Sequence, residues 1–543
     1  MTRAEDYIKR YDTEWTKLAN FRSLWQATAD LSFPRENNIT HIYAQGSEKI
    51  THADDTAIVD SKIMADGLLS AIIPAGEHFH QFNVSKYNPG GTNDTYTDYL
   101  SYVTDKHHSE LFSSNYLLQM GETMRSIVVF GTGDIFSEWN RKIRKLNFKD
   151  YDISMYVILE NEAGIVDTHM LKYPRTARQL VQKFGKNKVG KSILEAYNDE
   201  KKQNDIFQIL HVVRPREKFN PRFVNFMNMP FESVYINIKD KSIIEEGGFF
   251  EFPYQTPRWM KTTGEIMGRG QATEGLKQIR VLNQQIVDFN ECSNKHVNPA
   301  MDIMESFEGD YKVYPGARND VTEFPTAQAV DRNISGNFPI SKEIIEMQRE
   351  VVHTIFYKDA FSPLQNLTGD RRTTLEIRER MLEGLKRIGQ PVHRLWYELF
   401  NPQLIRSLNL LIRNGVVEEP PAGLELIDIE PLGLMANALS SGQATAFQRW
   451  VAVGVELKKD IPEVLDNVNI DEGYRNLGRK MGVRLEDMNK ADERDDIRRQ
   501  RAEQQAAQQA AELAQMAGQA YGQSTGAPEE GSPAAALMGS ENA

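Results

Sequence analysis

Residues 257–299 read PRWMKTTGEIMGRGQATEGLKQIRVLNQQIVDFNECSNKHVNP, and this stretch decides the fold. Three glycines, Gly264, Gly268 and Gly270, make a turn-rich lead-in. They open onto Leu276, Ile279, Leu282, Ile286 and Phe289, an apolar stripe with the three- and four-residue spacing of one helix face. The spacing predicts a helix over 271–298, about 42 Å long at 1.5 Å per residue. A second rod follows over 341–358 (SKEIIEMQREVVHTIFYK), opening on a serine with acids in its first turns. Between the rods, 300–339 shows the turn Pro315-Gly316, scattered aromatics and no helical period, which predicts a short hairpin plus extended chain.

Working outward, the pattern before the first rod predicts helices over 7–31, 53–73 and 95–127. From Val128 short β-branched and aromatic runs separated by turns predict a small antiparallel sheet, interrupted by one helix over 176–184. After the second rod, 359–372 reads as a loop. A helix then starts at Thr373, kinks at Pro391 and stops at Gly415, and Pro420-Pro421 marks a boundary. Short helices are expected over 432–454 and 474–481. A charged, then Gln/Ala-rich helix spans 487–521, and 522–543 has the composition of a disordered tail. The fold class is α+β, mainly helical.

With 543 residues, 40% hydrophobic and 26% charged, the chain exceeds one core and is not disordered by composition. A net charge of −12 argues against a broad basic surface that wraps nucleic acid. The single Cys292 permits no internal disulfide and fits a reducing compartment. No apolar run has the length of a membrane span, so no membrane partner is expected, and the polar N-terminus does not read as a signal peptide.

Gly185-Lys-Asn-Lys-Val-Gly190-Lys191-Ser192 matches the phosphate-binding P-loop pattern. That chemistry needs a buried strand leading into the loop, whereas Ala177, Leu180, Val181 and Phe184 place a helix before it. A basic helix–turn–helix linker is the plainer reading, with an NTPase built on 185–192 as the alternative. His78, His80, His107 and His108 lack partners at zinc spacing and read as surface or packing residues. No catalytic residue, metal site or cofactor is expected.

Five segments in order, 57–74 (AIVDSKIMADGLLSAIIP), 146–185 (LNFKDYDISMYVILENEAGIVDTHMLKYPRTARQLVQKFG), 245–283 (EEGGFFEFPYQTPRWMKTTGEIMGRGQATEGLKQIRVLN), 371–402 (RRTTLEIRERMLEGLKRIGQPVHRLWYELFNP) and 471–504 (DEGYRNLGRKMGVRLEDMNKADERDDIRRQRAEQ), carry a resemblance. Together they resemble the head-to-tail connector (portal) proteins of short-tailed bacteriophages, over roughly Trp15 to Gln509. One departure is Met267, where the family usually carries an aromatic before Gly-Arg-Gly.

The resemblance implies a homo-oligomeric ring, usually of twelve subunits, at one capsid vertex of the virion, assembled in the host cytoplasm. Double-stranded DNA passes through it in packaging and ejection. The implied partners are the terminase large subunit, which supplies ATP hydrolysis, tail adaptors, and scaffolding and capsid proteins. It assigns a wing to 1–270, stem helices to 271–298 and 341–358, a clip to 299–340 and a channel loop to 359–372. The kinked wing helix and its connection take 373–430, a helical crown 431–486 and a barrel helix 487–521. It further implies stem contacts between subunits through Leu276, Ile279, Leu282, Ile286 and Phe289, with Val281 and Val287 giving a second side. Tyr311, Tyr314, Arg318 and Phe324 of the clip would bind partners. Lys358, Asn366, Arg371 and Arg372 would face DNA phosphates, although Arg371 and Arg372 have neighbouring acids as alternative partners.

Overall fold

Thr2 and Glu5 cap the first helix reciprocally: the Thr2 hydroxyl accepts from Glu5 N at 3.3 Å, and a Glu5 carboxylate oxygen accepts from Thr2 N at 3.0 Å. In this computed structural model the described residues are 2–34, 39–40, 52–74, 76–91, 93–220, 225–297, 301–303, 327–329, 338–361, 383, 386–432, 450–454, 456, 469–471, 473–475, 489 and 491–523. The chain divides into two units, Met1–Ala446 and Phe447–Ala543.

The helix expected over 7–31 is two helices, α1 (Arg3–Lys17) and α2 (Ala19–Ser32). They separate because they serve different cores. Tyr7 and Tyr11 of α1 pack on one sheet face, while Trp25, Ala29 and Leu31 of α2 enter the main core. Beyond α3 (Thr56–Ile72), the helix expected over 95–127 also divides, into α4 (Asp94–Phe112) and α5 (Tyr116–Phe130). At the break the Asn115 amide serves a strand. Its nitrogen donates to Phe148 O at 2.7 Å and its oxygen accepts from Phe148 N at 2.9 Å.

The expected single sheet is two. Strands β2 (Ile135–Asn140), β3 (Lys145–Asp150) and β9 (Tyr254–Gln255) form one, in the order β3-β2-β9. The other is a five-stranded antiparallel meander of β4 (Tyr156–Glu160), β5 (Val166–Thr176), β6 (Ile206–Pro215), β7 (Phe231–Asn237) and β8 (Ser242–Phe249). Both its faces are covered. Val157, Met170, Leu210, Val212, Val234 and Ile236 meet α1, and the alternating neighbours Ile158, Leu171, Ile209 and Val213 join the main core. Two helices, not one, sit between β5 and β6: α6 (Ala177–Phe184) and α7 (Lys191–Asn198).

The glycine lead-in rests directly on the end of α5. Gly131 closes that helix at φ +91°, and a Cβ on Gly268 would lie 2.1 Å from Gly131 O. A Cβ on Gly270 would lie 2.6 Å from Val128 O, so the backbone approaches in a way only glycine permits. Met267 is buried. The rod follows as a short turn, α8 (Gln271–Glu274), and α9 (Leu276–Val297). The second rod, α10 (Phe338–Ile355), begins three residues before the expected serine. Between the rods, β10 (Met301–Ile303) pairs antiparallel with β11 (Ala327–Ala329), and the rest of the expected head lies outside the described residues.

Two expectations about the later chain are corrected. Pro391 does not kink a helix: it sits in the first turn of Gly389–Leu395, where a missing N–H costs nothing. The irregularity is a π-helical turn, Trp396–Phe400, leading into Asn401–Arg413, which has Pro402 at its start. Pro420-Pro421 is not a boundary either. The chain continues into β12 (Ile427–Pro431), which pairs antiparallel with β1 (His80–Val84) of the same unit. Asn88 fastens this return, donating to Gly423 O at 3.1 Å and accepting from Glu425 N at 3.0 Å. In the second unit a helix runs Ala491–Gln523, its residues 495–514 all exposed, and Arg498 pairs with Asp471 at 2.6 Å.

Candidate functional site

The two rods pack side by side, and each divides its surface between core and solvent. On α9, Leu276, Ile279 and Leu282 are buried and Ile286 and Phe289 half-buried against the core of the same chain. The first three therefore stabilise the subunit itself, which corrects their assignment to a contact between subunits. Among its described apolar side chains, α9 leaves Val281 and Val287 exposed. On α10, Ile345 and Val352 face inward, and Gln348 donates to Gln278 Oε1 on α9 at 3.0 Å. A second α10 stripe, Ile344, Met347 and Val351, lies about 100° round the helix and faces solvent, with Met347 63% exposed.

The base of α10 is a built corner. After Ile355 the chain turns through Tyr357, at φ +51°, into α11 (Lys358–Phe361). Gln271 Nε2 donates to Ile355 O at 2.9 Å, closing an end carbonyl of α10 from the foot of the first rod. Two glycines make room: a Cβ on Gly275 would meet Ile355 at 2.9 Å, and one on Gly67 would meet Phe361 at 2.7 Å. Helix α3 and the segment just before it supply the charges. Asp54 accepts from Arg349 at 3.0 Å, and buried Asp60 pairs with His353 and lies 3.5 Å from Lys358 Nζ. Lys358, expected to face phosphates, thus has an acid of its own chain within ion-pair reach. Sequence spacing gave no sign of this clamp, because Asp60 and His353 are 293 residues apart.

Asn366, Arg371 and Arg372 lie outside the described residues, as do Tyr311, Tyr314, Arg318 and Phe324. The P-loop-like segment is described, and its geometry is wrong for a nucleotide. It joins α6 to α7 rather than following a strand, and the Asp240 carboxylate occupies the start of α7. Oδ2 of Asp240 accepts from Ser192 Oγ at 2.7 Å, Ser192 N at 3.3 Å and Asn237 Nδ2 at 2.9 Å. A fixed carboxylate there repels a phosphate from the amides that would bind it.

The four histidines come together at the β1–α4 corner as packing residues. His80 Nε2 lies 3.0 Å from His107 Nδ1, His107 Nε2 lies 2.7 Å from Ser407 Oγ, and His78 and His108 stack edge to face at 4.4 Å. Burial lowers all three shifted imidazoles, aided by neighbouring histidines: His80 well below its ordinary value, His107 to about 3 and His108 to about 4. Among the described residues no group of three or more His, Cys, Asp or Glu is arranged to hold a metal ion.

A profile of the family described as bacteriophage head to tail connecting protein matches residues 4–487. The chain belongs to that family. Two connector relatives agree. The chain is 24% identical over 499 residues to the portal protein of Salmonella phage epsilon15, covering 89% of this chain and 88% of that one. It is 26% identical over 356 residues to the probable portal protein of Bordetella phage BPP-1, covering 64% of each. The connector match contains both rods, the corner between α10 and α11 and the glycine lead-in. The NTPase alternative finds no support in these relatives.

Proposed function

We propose that this protein is a portal subunit: copies close into a ring at one capsid vertex, DNA enters and leaves through the ring, and terminase and tail proteins dock on it. The observation that carries this is similarity to a portal protein along nearly the full length of both chains. A ring of identical subunits needs two different faces per subunit. The solvent-facing stripe Ile344, Met347 and Val351 supplies one, and the α9 surface around Val281 and Val287 supplies the other. In this reading α9 and α10 are the stem, with twelve copies as in the family. Residues 299–340 form the clip that docks partners through Tyr311, Tyr314, Arg318 and Phe324, and Asn366, Arg371 and Arg372 meet phosphates in the channel.

The role of Lys358 changes with the clamp. It anchors the channel-loop base to α3 through Asp60. Negative-stain imaging of the purified full chain tests the proposal. Closed rings with a central channel are expected. A monomer at every concentration up to the micromolar range, with no rings, overturns it.

A further inference from the structure

The turn joining β2 to β3 reads Arg141-Lys142-Ile143-Arg144-Lys145, four cations in five residues within a chain of net charge −12. The hairpin closes with Asn140 opposite Lys145, so the turn is the tip itself. Residues 141–144 are all exposed, Ile143 at 60%. Arg141, Lys142 and Arg144 have no ion-pair partner among the described residues. Only Lys145 is occupied, its ammonium donating to Ser113 O at the end of α4 at 3.0 Å.

The tip is shaped rather than loose. Asn140 Oδ1 accepts from Lys142 N at 3.0 Å and from Ile143 N at 3.4 Å, fixing the entry. Arg144 adopts φ +52°, a conformation that glycine or asparagine takes at less cost. Mutual repulsion and a strained arginine are two local costs in one turn. Such costs are retained where a site uses them.

We propose that this tip contacts the phosphate backbone of double-stranded DNA, without reading sequence. The tip is convex, which suits a long polyanion and not a small anion needing a concave pocket. Two arginines offer planar forks matched to phosphate oxygens, with a lysine between them as a point charge. The choice of DNA as the polyanion rests on the portal reading, since DNA is then the polymer the ring must handle. Three free cations imply about three phosphate contacts, each contributing about 0.9 to the slope of log affinity against log salt.

The test uses the full-length protein and a fluorescein-labelled duplex of random sequence, titrated by anisotropy across a salt series. The combined variant Arg141→Gln, Lys142→Gln, Arg144→Gln is expected to bind at least tenfold more weakly at low salt, with a slope shallower by about 2.7. A second variant, Arg144→Gly, separates binding from folding. It should raise the melting temperature by relieving the strained φ, yet lose about 0.9 of slope. Equal affinity and slope for wild type and combined variant overturn the proposal. So does competition by polyglutamate as effective as by DNA of equal charge, which would assign the tip to an acidic protein surface. Native mass spectrometry of the same samples keeps the two readings apart: absent rings count against the portal assignment, while the DNA comparison still decides the role of the tip.

Discussion

Arg258 joins three segments through one guanidinium. Its Nε and Nη2 form a fork on Glu398 in the π-helical turn, at 2.9 and 2.7 Å, and its Nη1 bonds Glu160 at the end of β4. Burial works against the charge, but the bonds to Glu398 and Glu160 outweigh it and raise the pKa. Replacing Arg258 by Met would leave Glu398 and Glu160 in a poorly solvated place without their shared partner. A loss of about 3–5 kcal/mol in urea unfolding is expected, as for other broken buried pairs. Glu398→Gln, which keeps a hydrogen-bond acceptor and adds no charge, should cost clearly less. An Arg258→Met protein as stable as wild type would mean the cluster contributes nothing net.

Within the elements, the α10–α11 corner stores conformational cost at Tyr357. Removing its ring loses the same packing whether Gly or Ala replaces it, but only Gly accepts φ +51° freely. Tyr357→Gly should therefore be more stable than Tyr357→Ala by about 1 kcal/mol, the reverse of the order inside a helix. Equal melting temperatures would show that the corner relaxes. The β1–α4 corner makes a pH prediction. His107 has a folded pKa of about 3, below its ordinary 6.5, so between these values the unfolded chain binds more protons and stability falls as pH falls. Asp150, pushed up to about 7 by burial, acts in the opposite sense, its contribution falling as pH rises through about 4 to 7. Comparing wild type with His107→Gln separates them. The variant's acid limb should be flatter by about one proton, or about 1.4 kcal/mol per pH unit, in unfolding at pH 4–6.

These elements also show what the sequence made legible. Periodicity located both rods and the strand-rich region, because local spacing alone dictates which face is apolar. It did not show that Leu276, Ile279 and Leu282 are consumed by the chain's own core, since a stripe does not say what covers it. Breaks at Leu18 and Asn115 were hidden because the helical pattern continues across them and tertiary partners decide where the chain turns. The Asp60 clamp was invisible because its members are distant in sequence. The cations of 141–145 drew no expectation either, because a charge run does not say that it closes a hairpin tip.

At the scale of the whole molecule, the inward and outward stripes of α10 separate folding from assembly. Replacing Ile344, Met347 and Val351 together by Ser removes apolar side chains already exposed in the subunit, so each change should alter subunit stability by no more than about 0.5 kcal/mol. In a ring the same side chains would be buried against a neighbour. Losing about 1–2 kcal/mol from each would weaken every subunit contact by two or more powers of ten. Leu282→Ser is the control on the inward side: it should cost about 2–5 kcal/mol of subunit stability, because it leaves a cavity in the core. Analytical ultracentrifugation with thermal unfolding reads both quantities. The triple variant should sediment as a folded monomer where wild type forms rings. If it still closes into rings at the same concentration, the copies meet through another surface, and α10's outward stripe faces the channel or a different partner.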